Sequence, residues 1–252
     1  MSRTARRHAA ILDLVGGGEA DVDMLAGRFG VSPSTIRRDL AVMSDQGMVT
    51  RTYGGALPAH PQPEHGLSRR ERQNRDAKCA IARLAASLIR DGESVLLDAG
   101  STVAALGRLL PRRKLRVVTS NLPLVPVLAA APDIELIVLA GSVRTISMGV
   151  VGPLTEMTLR RLSVDKVFMS ADGVVAGRGL CEAGPEQTAL KETMMAQAEE
   201  VYVLADSSKL GRASQPFWAV LPATWTLITE ADAGEALLEP FRRMPGVRVL
   251  LA

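Results

Sequence analysis

The sequence predicts an α/β protein of two unequal parts, a small helical N-terminal part and a larger part with a mostly parallel sheet. Residues 1–57 contain short amphipathic helical patterns, whereas residues 69–252 alternate apolar, β-branched runs with helical patterns. The segment between them, 58–68, holds three prolines and little that could be buried, which is typical of a semi-rigid linker. We therefore expect two domains joined by this linker.

Composition limits what the two parts can do. A chain of 252 residues with 47% hydrophobic residues can bury a sizeable core, and its formal net charge is only +3. Binding to nucleic acid would therefore need locally concentrated positive charge. Cys79 and Cys181 fit neither a metal-ligand cluster nor a disulfide framework, which favours a reducing cytoplasm. The most apolar region, 122–140, is interrupted by prolines and acidic residues, so we expect no membrane segment, and we expect no metal or cofactor.

Three helices are predicted in the N-terminal part. The first carries an apolar stripe over residues 8–15, and the second begins after Asp21, a favourable N-cap, and ends at Gly30. Ser32 would cap the third helix, with Pro33 at its first position, where the missing N–H costs nothing. Only a short turn therefore separates the second helix from the third.

The third helix has an apolar face and a polar face. Ile36, Leu40 and Met43 recur at i, i+4 and i+7, so they must face the core. Residues 48–58 follow as a short β-hairpin, with Gly54-Gly55 at its bend. The outward positions in the N-terminal half of the helix are Ser34, Thr35, Arg37 and Arg38.

Two helices joined by a short turn, with polar residues on the second, form a helix-turn-helix, and the hairpin would be its wing. Arginine can bind guanine O6 and N7 through two hydrogen bonds, and hydroxyl groups can contact phosphates or bases. Arg51 on the wing would contact the DNA backbone. A small structural bundle or a protein-interaction domain with solvated arginines is the alternative, but the N-terminal position, the linker and the wing favour double-stranded DNA. The candidate DNA-binding residues are Ser32, Ser34, Thr35, Arg37, Arg38 and Arg51.

Seven apolar runs in the C-terminal part are interpreted as buried strands, most of them separated by helical patterns. This order predicts a sheet covered on both faces, with any ligand at the carboxyl ends of its strands. The runs are 94–97, 115–119, 134–139, 165–170, 201–205, 225–229 and 247–251.

Small polar residues follow five of these strands. Gly100 permits close approach of the backbone, and the first N–H groups of the next helix form an anion site. Gly, Ser, Asn and Asp are ordinary turn residues, but five such groups at corresponding positions favour a ligand site. The site would be a phosphate cradle with hydrogen-bonding groups suited to a polyol. The candidates are Asp98, Gly100, Ser101, Thr102, Thr119, Ser120, Asn121, Gly141, Ser142, Asp172, Gly173 and Lys209.

Two basic features are interpreted from the residues alone as ordinary surface. Lys191 lies on a helix opened by Gly184-Pro185 and reads as a surface lysine. The basic run 69–78 reads as the solvated start of a helix rather than as a contact with the DNA backbone.

The motifs of the N-terminal part resemble those of the DeoR family of bacterial transcriptional repressors. The most specific is TIRRDL at 35–40, and the wing reads Arg-x-Tyr-Gly-Gly-Ala at 51–56. Tyr53 stands where the family commonly has histidine, and we expect it to alter one wing contact without changing the docking mode. The resemblance thus adds Tyr53 to the candidate DNA-binding residues, and it extends through nearly the whole chain.

The resemblance also implies a function for the C-terminal part. The family's effector domain has a fold resembling ribose-5-phosphate isomerase, which implies a phosphorylated sugar or related metabolite as ligand. Its Asp-x-Gly-Thr-Thr motif falls on 98–102, its Ala-Asp-Gly on 171–173 and its Asp-Ser-Ser-Lys on 206–209. Through this pattern Lys191 is also implied as an effector contact. Ser101 replaces the first threonine of the Asp-x-Gly-Thr-Thr motif, and three further positions depart from the family motifs: Ser120, Ser142 and Cys181.

We therefore expect a cytoplasmic, non-enzymatic repressor of carbohydrate-metabolism genes that binds operator DNA and is controlled by a phosphorylated sugar. A homo-oligomer, dimer or tetramer, could convert ligand binding into a changed spacing of recognition helices. One alternative is an active sugar-phosphate isomerase fused to a DNA-binding domain, and another is a constitutive structural DNA binder. Acid–base groups for the enzyme would be Asp98, Asp172, Glu182 and Lys191.

Overall fold

The N-terminal part forms three helices and a three-stranded antiparallel sheet. The computed structural model describes residues 3–16, 20–51, 55–58, 64 and 66–252. In chain order the N-terminal elements are α1 (Arg3–Gly16), β1 (Ala20–Asp21), α2 (Val22–Phe29), α3 (Pro33–Asp45), β2 (Val49–Arg51) and β3 (Gly55–Pro58).

The predicted helix ends are confirmed. Asp21 accepts hydrogen bonds from the backbone N–H groups of Asp23 and Met24, and Gly30 ends α2 with a left-handed φ of 61°. Ser32 caps α3 by accepting from the Thr35 backbone N–H. These caps satisfy backbone groups that the ends of each helix would otherwise leave without partners.

The wing differs from the prediction at one glycine. Gly55 was expected at the bend of the hairpin, but it begins β3 and pairs with Asp21 of β1, a strand that the sequence did not predict. A Cβ atom at Gly55 would lie 2.0 Å from the Ala20 carbonyl oxygen, so only glycine fits where the two strands meet. Gly54 lies outside the described residues.

The larger part is built on a seven-stranded sheet in which every neighbouring pair of strands is parallel. Its strands in chain order are β4 (Ser94–Leu97), β5 (Leu115–Thr119), β6 (Ile134–Val138), then, after a β-hairpin of β7 (Ser142–Arg144) and β8 (Gly149–Val151), β9 (Val164–Met169). A second, antiparallel sheet contains β10 (Gly173–Val175), β11 (Gly179–Glu182) and β13 (Phe217–Ala219), while β12 (Ala198–Leu204), β14 (Trp225–Thr229) and β15 (Val247–Leu251) complete the first.

All seven predicted strands belong to the parallel sheet, whose order is β15-β14-β12-β9-β4-β5-β6. The hairpin and the antiparallel sheet were not predicted, and each follows closely on the carboxyl end of a parallel strand. The helices of this part are α4 (Leu67–Arg72), α5 (Arg75–Ser87), α6 (Ser101–Gly107), α7 (Val125–Ala129), α8 (Pro153–Leu159), α9 (Pro185–Ala196) and α10 (Glu235–Arg242).

The parallel sheet separates two apolar cores. Successive side chains of a strand point to opposite faces, and accordingly Leu96 belongs to one core while Val95 and Leu97 belong to the other. One core packs beneath α5 and α6, and the other packs beneath α9 and α10. No helix within the described ranges is both long and apolar enough to cross a membrane.

Candidate functional site

Helix α3 presents its predicted polar face to solvent. Ser32, Ser34, Arg37 and Arg38 are exposed, and Thr35 is partly exposed. The hydroxyl groups of Ser34 and Thr35 lie 2.8 and 2.9 Å from the Ser32 hydroxyl, so these three groups form one small network at the start of the helix. Arg37 and Arg38 make no ion pair with any described residue. The two guanidinium groups are therefore available to an external partner.

A buried carboxylate fixes the opposite face of α3 to α1. Asp39 accepts hydrogen bonds from Arg7 Nε at 2.6 Å and Nη2 at 3.1 Å, and its Oδ1 lies 3.0 Å from His8 Nε2. Burial opposes the charge of Asp39, but the hydrogen bonds from Arg7 and His8 outweigh it and lower the pKa of the carboxyl. Asp39 therefore orients the helix that carries the exposed arginines.

Two candidates on the wing have no described side chain. Arg51 is the last residue of β2, but its side chain lies outside the part of the chain that the structure describes. Tyr53 lies wholly outside the described residues. Their proposed contacts with DNA stay predictions.

Two adjoining hollows open at the carboxyl ends of β4, β5, β9 and β12, and Arg70, Ser170 and Ala171 line both of them. The polar lining of the first, here called the acidic hollow, is Arg70, Asp98, Ser120, Ser147, Ser170, Asp172, Glu182, Gln187 and Lys191. The polar lining of the second, the basic hollow, is Arg70, Gln73, Asn74, Lys78, Ser101, Thr102, Ser170, Asp206, Ser208 and Lys209.

Lys191 lies at the centre of the acidic hollow and is only 4% exposed. Its ammonium group is hydrogen-bonded to the Asp98 carboxylate, lies 3.2 Å from Glu182 Oε1 and donates to the Ser170 carbonyl oxygen at 2.5 Å. Burial opposes the charge, but Asp98 and then Glu182 outweigh it and raise the pKa of Lys191. The interpretation of Lys191 as a surface lysine is therefore wrong.

Glu182 is a buried carboxyl of this hollow whose ionisation is hindered. Burial raises the pKa of Glu182 to about 8. The positive charge of Lys191 acts against this increase, whereas repulsion from Asp172 and Asp98 adds to it. Its Oε2 also accepts a hydrogen bond from Gln187 Nε2 at 2.8 Å. The acidic hollow thus gathers three carboxyl groups around the two cations of Lys191 and Arg70.

Several buried polar atoms of the acidic hollow have no hydrogen-bond partner among the described residues. Buried polar groups are nearly always paired in native proteins, so a cluster of such atoms at one place indicates a ligand site. These atoms are Nε and Nη2 of Arg70, Oγ of Ser120, Oδ2 of Asp172 and Oε1 of Gln187.

The basic hollow collects three cations, Arg70, Lys78 and Lys209. Lys78 donates to the carbonyl oxygens of Arg70 at 2.5 Å and Gln73 at 2.7 Å. Burial lowers the pKa of both lysines; Asp206 is the largest opposing charge for Lys78, and Asp172 is the largest for Lys209. The Lys209 ammonium donates no hydrogen bond within the part of the chain that the structure describes.

Ser101 and Thr102 bring buried hydroxyl groups to the same hollow, at the start of α6. The preceding Gly100 has a φ of 143°, and a Cβ atom there would lie 2.3 Å from Ser170 Oγ. Only glycine therefore allows this loop to approach β9 so closely.

The basic run 69–78 is not simply solvated, because Arg70 and Lys78 point inward from it. Lys78 lies on the buried face of α5, in register with Ile81, Ala82 and Ala85. This helical spacing was a usable signal, since a residue in phase with an apolar stripe lies on the face of the helix that meets the core. Arg70 lies on a different short helix and had no such signal.

Two of the predicted residues, Thr119 and Asn121, hold the backbone beside the hollows. The Thr119 hydroxyl donates to the Leu97 carbonyl oxygen at 2.9 Å. The Asn121 amide donates to the carbonyl oxygens of Asp98 at 3.1 Å and Gly100 at 3.2 Å, so it holds the loop after β4. Neither Thr119 nor Asn121 lines a hollow.

Three further candidates line neither hollow. A Cβ atom at Gly141 would lie 2.2 Å from Thr155 Oγ1, and one at Gly173 would lie 1.9 Å from the Arg212 carbonyl oxygen. Both glycines therefore serve close packing. Ser142 is exposed on β7. The structure does not bring these three residues to the site.

Comparison with known proteins places both parts of the chain in one family. Residues 73–231 match the family described as DeoR C terminal sensor domain, and residues 7–62 match the DeoR-like helix-turn-helix domain. The HTH-type transcriptional regulator GlpR of Haloferax volcanii is 31% identical over 92% of this chain and 94% of its own. The HTH-type transcriptional repressor GlcR of Bacillus subtilis is 35% identical, over 88% of this chain and 85% of its own.

Among solved structures, a ribose 5-phosphate isomerase A from Methanocaldococcus jannaschii is similar over 54% of this chain and 55% of its own. The TM-score is 0.40 and the sequence identity is 24%. A likeness this loose bears on neither activity nor ligand.

Proposed function

The chain belongs to the DeoR family of transcriptional regulators, and we propose that it is a DNA-binding repressor of carbohydrate-metabolism genes controlled by a phosphorylated sugar. Residues 1–57 bind operator DNA, residues 58–68 are the linker and residues 69–252 bind the effector. A regulator of this kind acts in the cytoplasm, where it meets both partners. The names of the two relatives, a transcriptional regulator and a transcriptional repressor, support this function.

The main support for a ligand site is the set of unpartnered polar atoms in the acidic hollow. Leaving such an atom buried without a partner costs about 1–3 kcal/mol, so a ligand that pairs several of them gains affinity directly. Arg70 supplies donors, whereas Asp172 and Gln187 supply acceptors for hydroxyl groups. This combination suits a polyol better than an apolar ligand.

The charges of the two hollows support an orientation for the ligand. The basic hollow offers Arg70, Lys78 and Lys209 to a phosphate group, with the hydroxyl groups of Ser101 and Thr102 beside them. The acidic hollow adjoins it through Arg70 and offers carboxylates to the sugar hydroxyl groups. A phosphorylated polyol that spans both hollows therefore meets complementary charge at each end.

The contacts of Asp98 and Glu182 favour binding over turnover. An isomerase needs an acid and a base that are free to exchange protons with the substrate. Asp98 is already bonded to Lys191 and to the Ala99 backbone N–H at 2.7 Å, and both oxygens of Glu182 face donors from α9. We therefore propose a ligand-binding regulator without isomerase activity.

The DNA-binding half of the proposal rests on Arg37 and Arg38. Both are exposed at the leading half of a helix whose other face is anchored by Asp39. We propose that they contact base edges, with hydroxyl groups of Ser34 and Thr35 contacting phosphates or bases. A homo-oligomer would present two or more such helices to one operator.

The ligand proposal is tested on the full-length protein by a thermal-shift screen. The panel holds ribose 5-phosphate, glucose 6-phosphate, fructose 1-phosphate and glycerol 3-phosphate, each beside its non-phosphorylated parent. We expect at least one ester to raise the melting temperature and its parent not to do so, because the phosphate supplies the charge that the basic hollow binds. No shift with any ester at millimolar concentration would overturn the ligand site.

A matched pair of threonine variants locates the site. Thr102→Val removes a hydroxyl group from the basic hollow, and we expect it to weaken ester binding about tenfold, the worth of one hydrogen bond. Thr158→Val makes the same change on α8, where the hydroxyl donates to the Leu154 carbonyl oxygen and lines neither hollow, and should leave binding unchanged. Equal affinity in the two variants, measured by calorimetry, would remove Thr102 from the site.

A further inference from the structure

The linker contributes one buried carboxylate, Glu64, whose side chain is only 5% exposed. Arg144, at the end of β7, binds it with both terminal nitrogens, and the Nη1–Oε1 distance is 2.8 Å. The hydrogen bonds to Glu64 raise the pKa of Arg144, although burial acts in the opposite direction. The backbone of the same region is also held, because the Leu67 N–H donates to the Ile146 carbonyl oxygen at 3.0 Å. The chain that leads from the DNA-binding part is thus attached to the β7–β8 hairpin.

Glu64 also reaches the ligand site through Arg70. Nη1 of Arg70 lies 3.4 Å from Glu64 Oε1 and 3.9 Å from Asp172 Oδ1. The other two nitrogens of the same guanidinium, Nε and Nη2, are buried without a partner among the described residues. Arg70 therefore has one nitrogen beside the linker carboxylate and two that are available to a ligand in either hollow.

The β7–β8 hairpin forms a second connection between the linker and the site. Arg144 and Ile146 hold the linker, whereas Ser147 and Gly149, in the same turn, line the acidic hollow. Between them Met148 has a left-handed φ of 53°, which a non-glycine residue adopts only at some cost. The same few residues therefore contact both the linker and the space that a ligand would fill.

We propose that Glu64 and the phosphate group of the ligand compete for Arg70, so that ligand binding weakens the attachment of the linker to the body. This coupling rests on the function proposed above. Glu64 takes part in it through Arg70 and not by contacting the ligand. A phosphate dianion bound to Nε and Nη2 of Arg70 adds negative charge beside a buried carboxylate that depends on the same cation. Because coupling between sites is reciprocal, an attached linker must in turn lower the affinity for the anion.

The competition is tested with inorganic phosphate as the probe and the full-length chain. Glu64→Gln keeps the shape of the side chain but removes its charge, and we expect it to bind phosphate about fivefold more tightly than the unchanged protein. The matched control is Glu135→Gln, which removes an exposed carboxylate paired with Arg116 at 2.9 Å and should change the affinity by about twofold at most. Calorimetric affinity that is unchanged or weaker in Glu64→Gln would overturn the competition.

A double-mutant cycle separates a specific role from a structural one. In an Arg70→Gln background the Glu64→Gln change should no longer raise phosphate affinity, since the shared cation is gone. A gain that persists in this background would contradict the role of Arg70. If the unchanged protein binds neither phosphate nor any ester of the panel, the proposed function and the coupling both fall. If the unchanged protein binds phosphate and Glu64→Gln binds it with the same affinity, only the proposed coupling is contradicted.

The consequence for DNA is measured by fluorescence anisotropy with a duplex selected by the protein from a randomised pool. Phosphate replaces chloride at constant ionic strength, because salt alone changes DNA affinity. We expect phosphate to change the DNA affinity of the unchanged protein and of Glu135→Gln, and to leave that of Glu64→Gln nearly constant. A full response in Glu64→Gln would show that the signal bypasses the linker carboxylate and would overturn the proposal.

Discussion

The N-terminal part and the body place their charged groups in opposite environments. Arg37 and Arg38 are exposed on a single helix, and that helix is held by its other face. In the body, Lys191 and Asp98 are buried and come from segments 93 residues apart. A charge in the first setting can be removed without disturbing the fold, whereas a charge in the second is part of the fold. The two surfaces should therefore respond differently to the same kind of substitution.

The largest expected effect is the loss of stability in Lys191→Met. Removing one partner of a buried ion pair leaves the Asp98 charge uncompensated, which typically costs about 3–5 kcal/mol. Both tryptophans, Trp218 and Trp225, lie in the body, so urea unfolding followed by their fluorescence reports on this part alone. Lys114→Met, an exposed lysine of the body, is the control. If the free energy of unfolding fell by less than about 1 kcal/mol, Lys191 would contribute no more than a surface charge does. The contrast between the two parts would then be wrong.

Arg38→Ala should show the reverse pattern, with unchanged stability and weaker DNA binding. A specific arginine contact to a base is worth about 1–3 kcal/mol, so we expect a loss of about tenfold or more for the selected duplex at fixed salt. Ester binding should be retained because Arg38 lines neither hollow. Arg83→Ala removes an exposed arginine from α5 and serves as the control. Equal DNA affinities of the two variants would remove Arg38 from the proposed interface.

The smallest expected effect is the pH dependence of ester binding. The pKa values of Lys78 and Lys209 are lowered, so these lysines lose their positive charge at lower pH than exposed lysines do. Losing cations weakens anion binding, so affinity should fall as pH rises into the alkaline range. It should fall also below pH of about 6, where the phosphate itself takes up a proton.

Calorimetry across this range on the unchanged protein and on Lys209→Gln sharpens the comparison. The variant should bind more weakly and show a shallower alkaline decline, because one titrating cation is gone. An unchanged decline in Lys209→Gln would mean that other groups cause it.

Sequence periodicity predicted the elements well and the site only in part. Apolar spacing located the outward face of α3, and apolar runs located all seven strands of the parallel sheet. The rule that ligands bind at the carboxyl ends of such strands identified Asp98, Ser120 and Asp172, which do line the acidic hollow. The same rule selected Gly141 and Ser142, because a turn beside the site and a turn away from it use the same residues.

By itself the sequence determined the helices of the N-terminal part, the seven strands of the parallel sheet and which face of these elements meets the core. These properties depend on near neighbours, since the spacing of side chains is set by the geometry of one helix or strand. Only the tertiary structure decided that Arg70, Lys191 and Glu64 are turned inward, because a charge can be buried only where a partner from another segment receives it. That partner is a matter of packing, and periodicity along one segment carries no information about it.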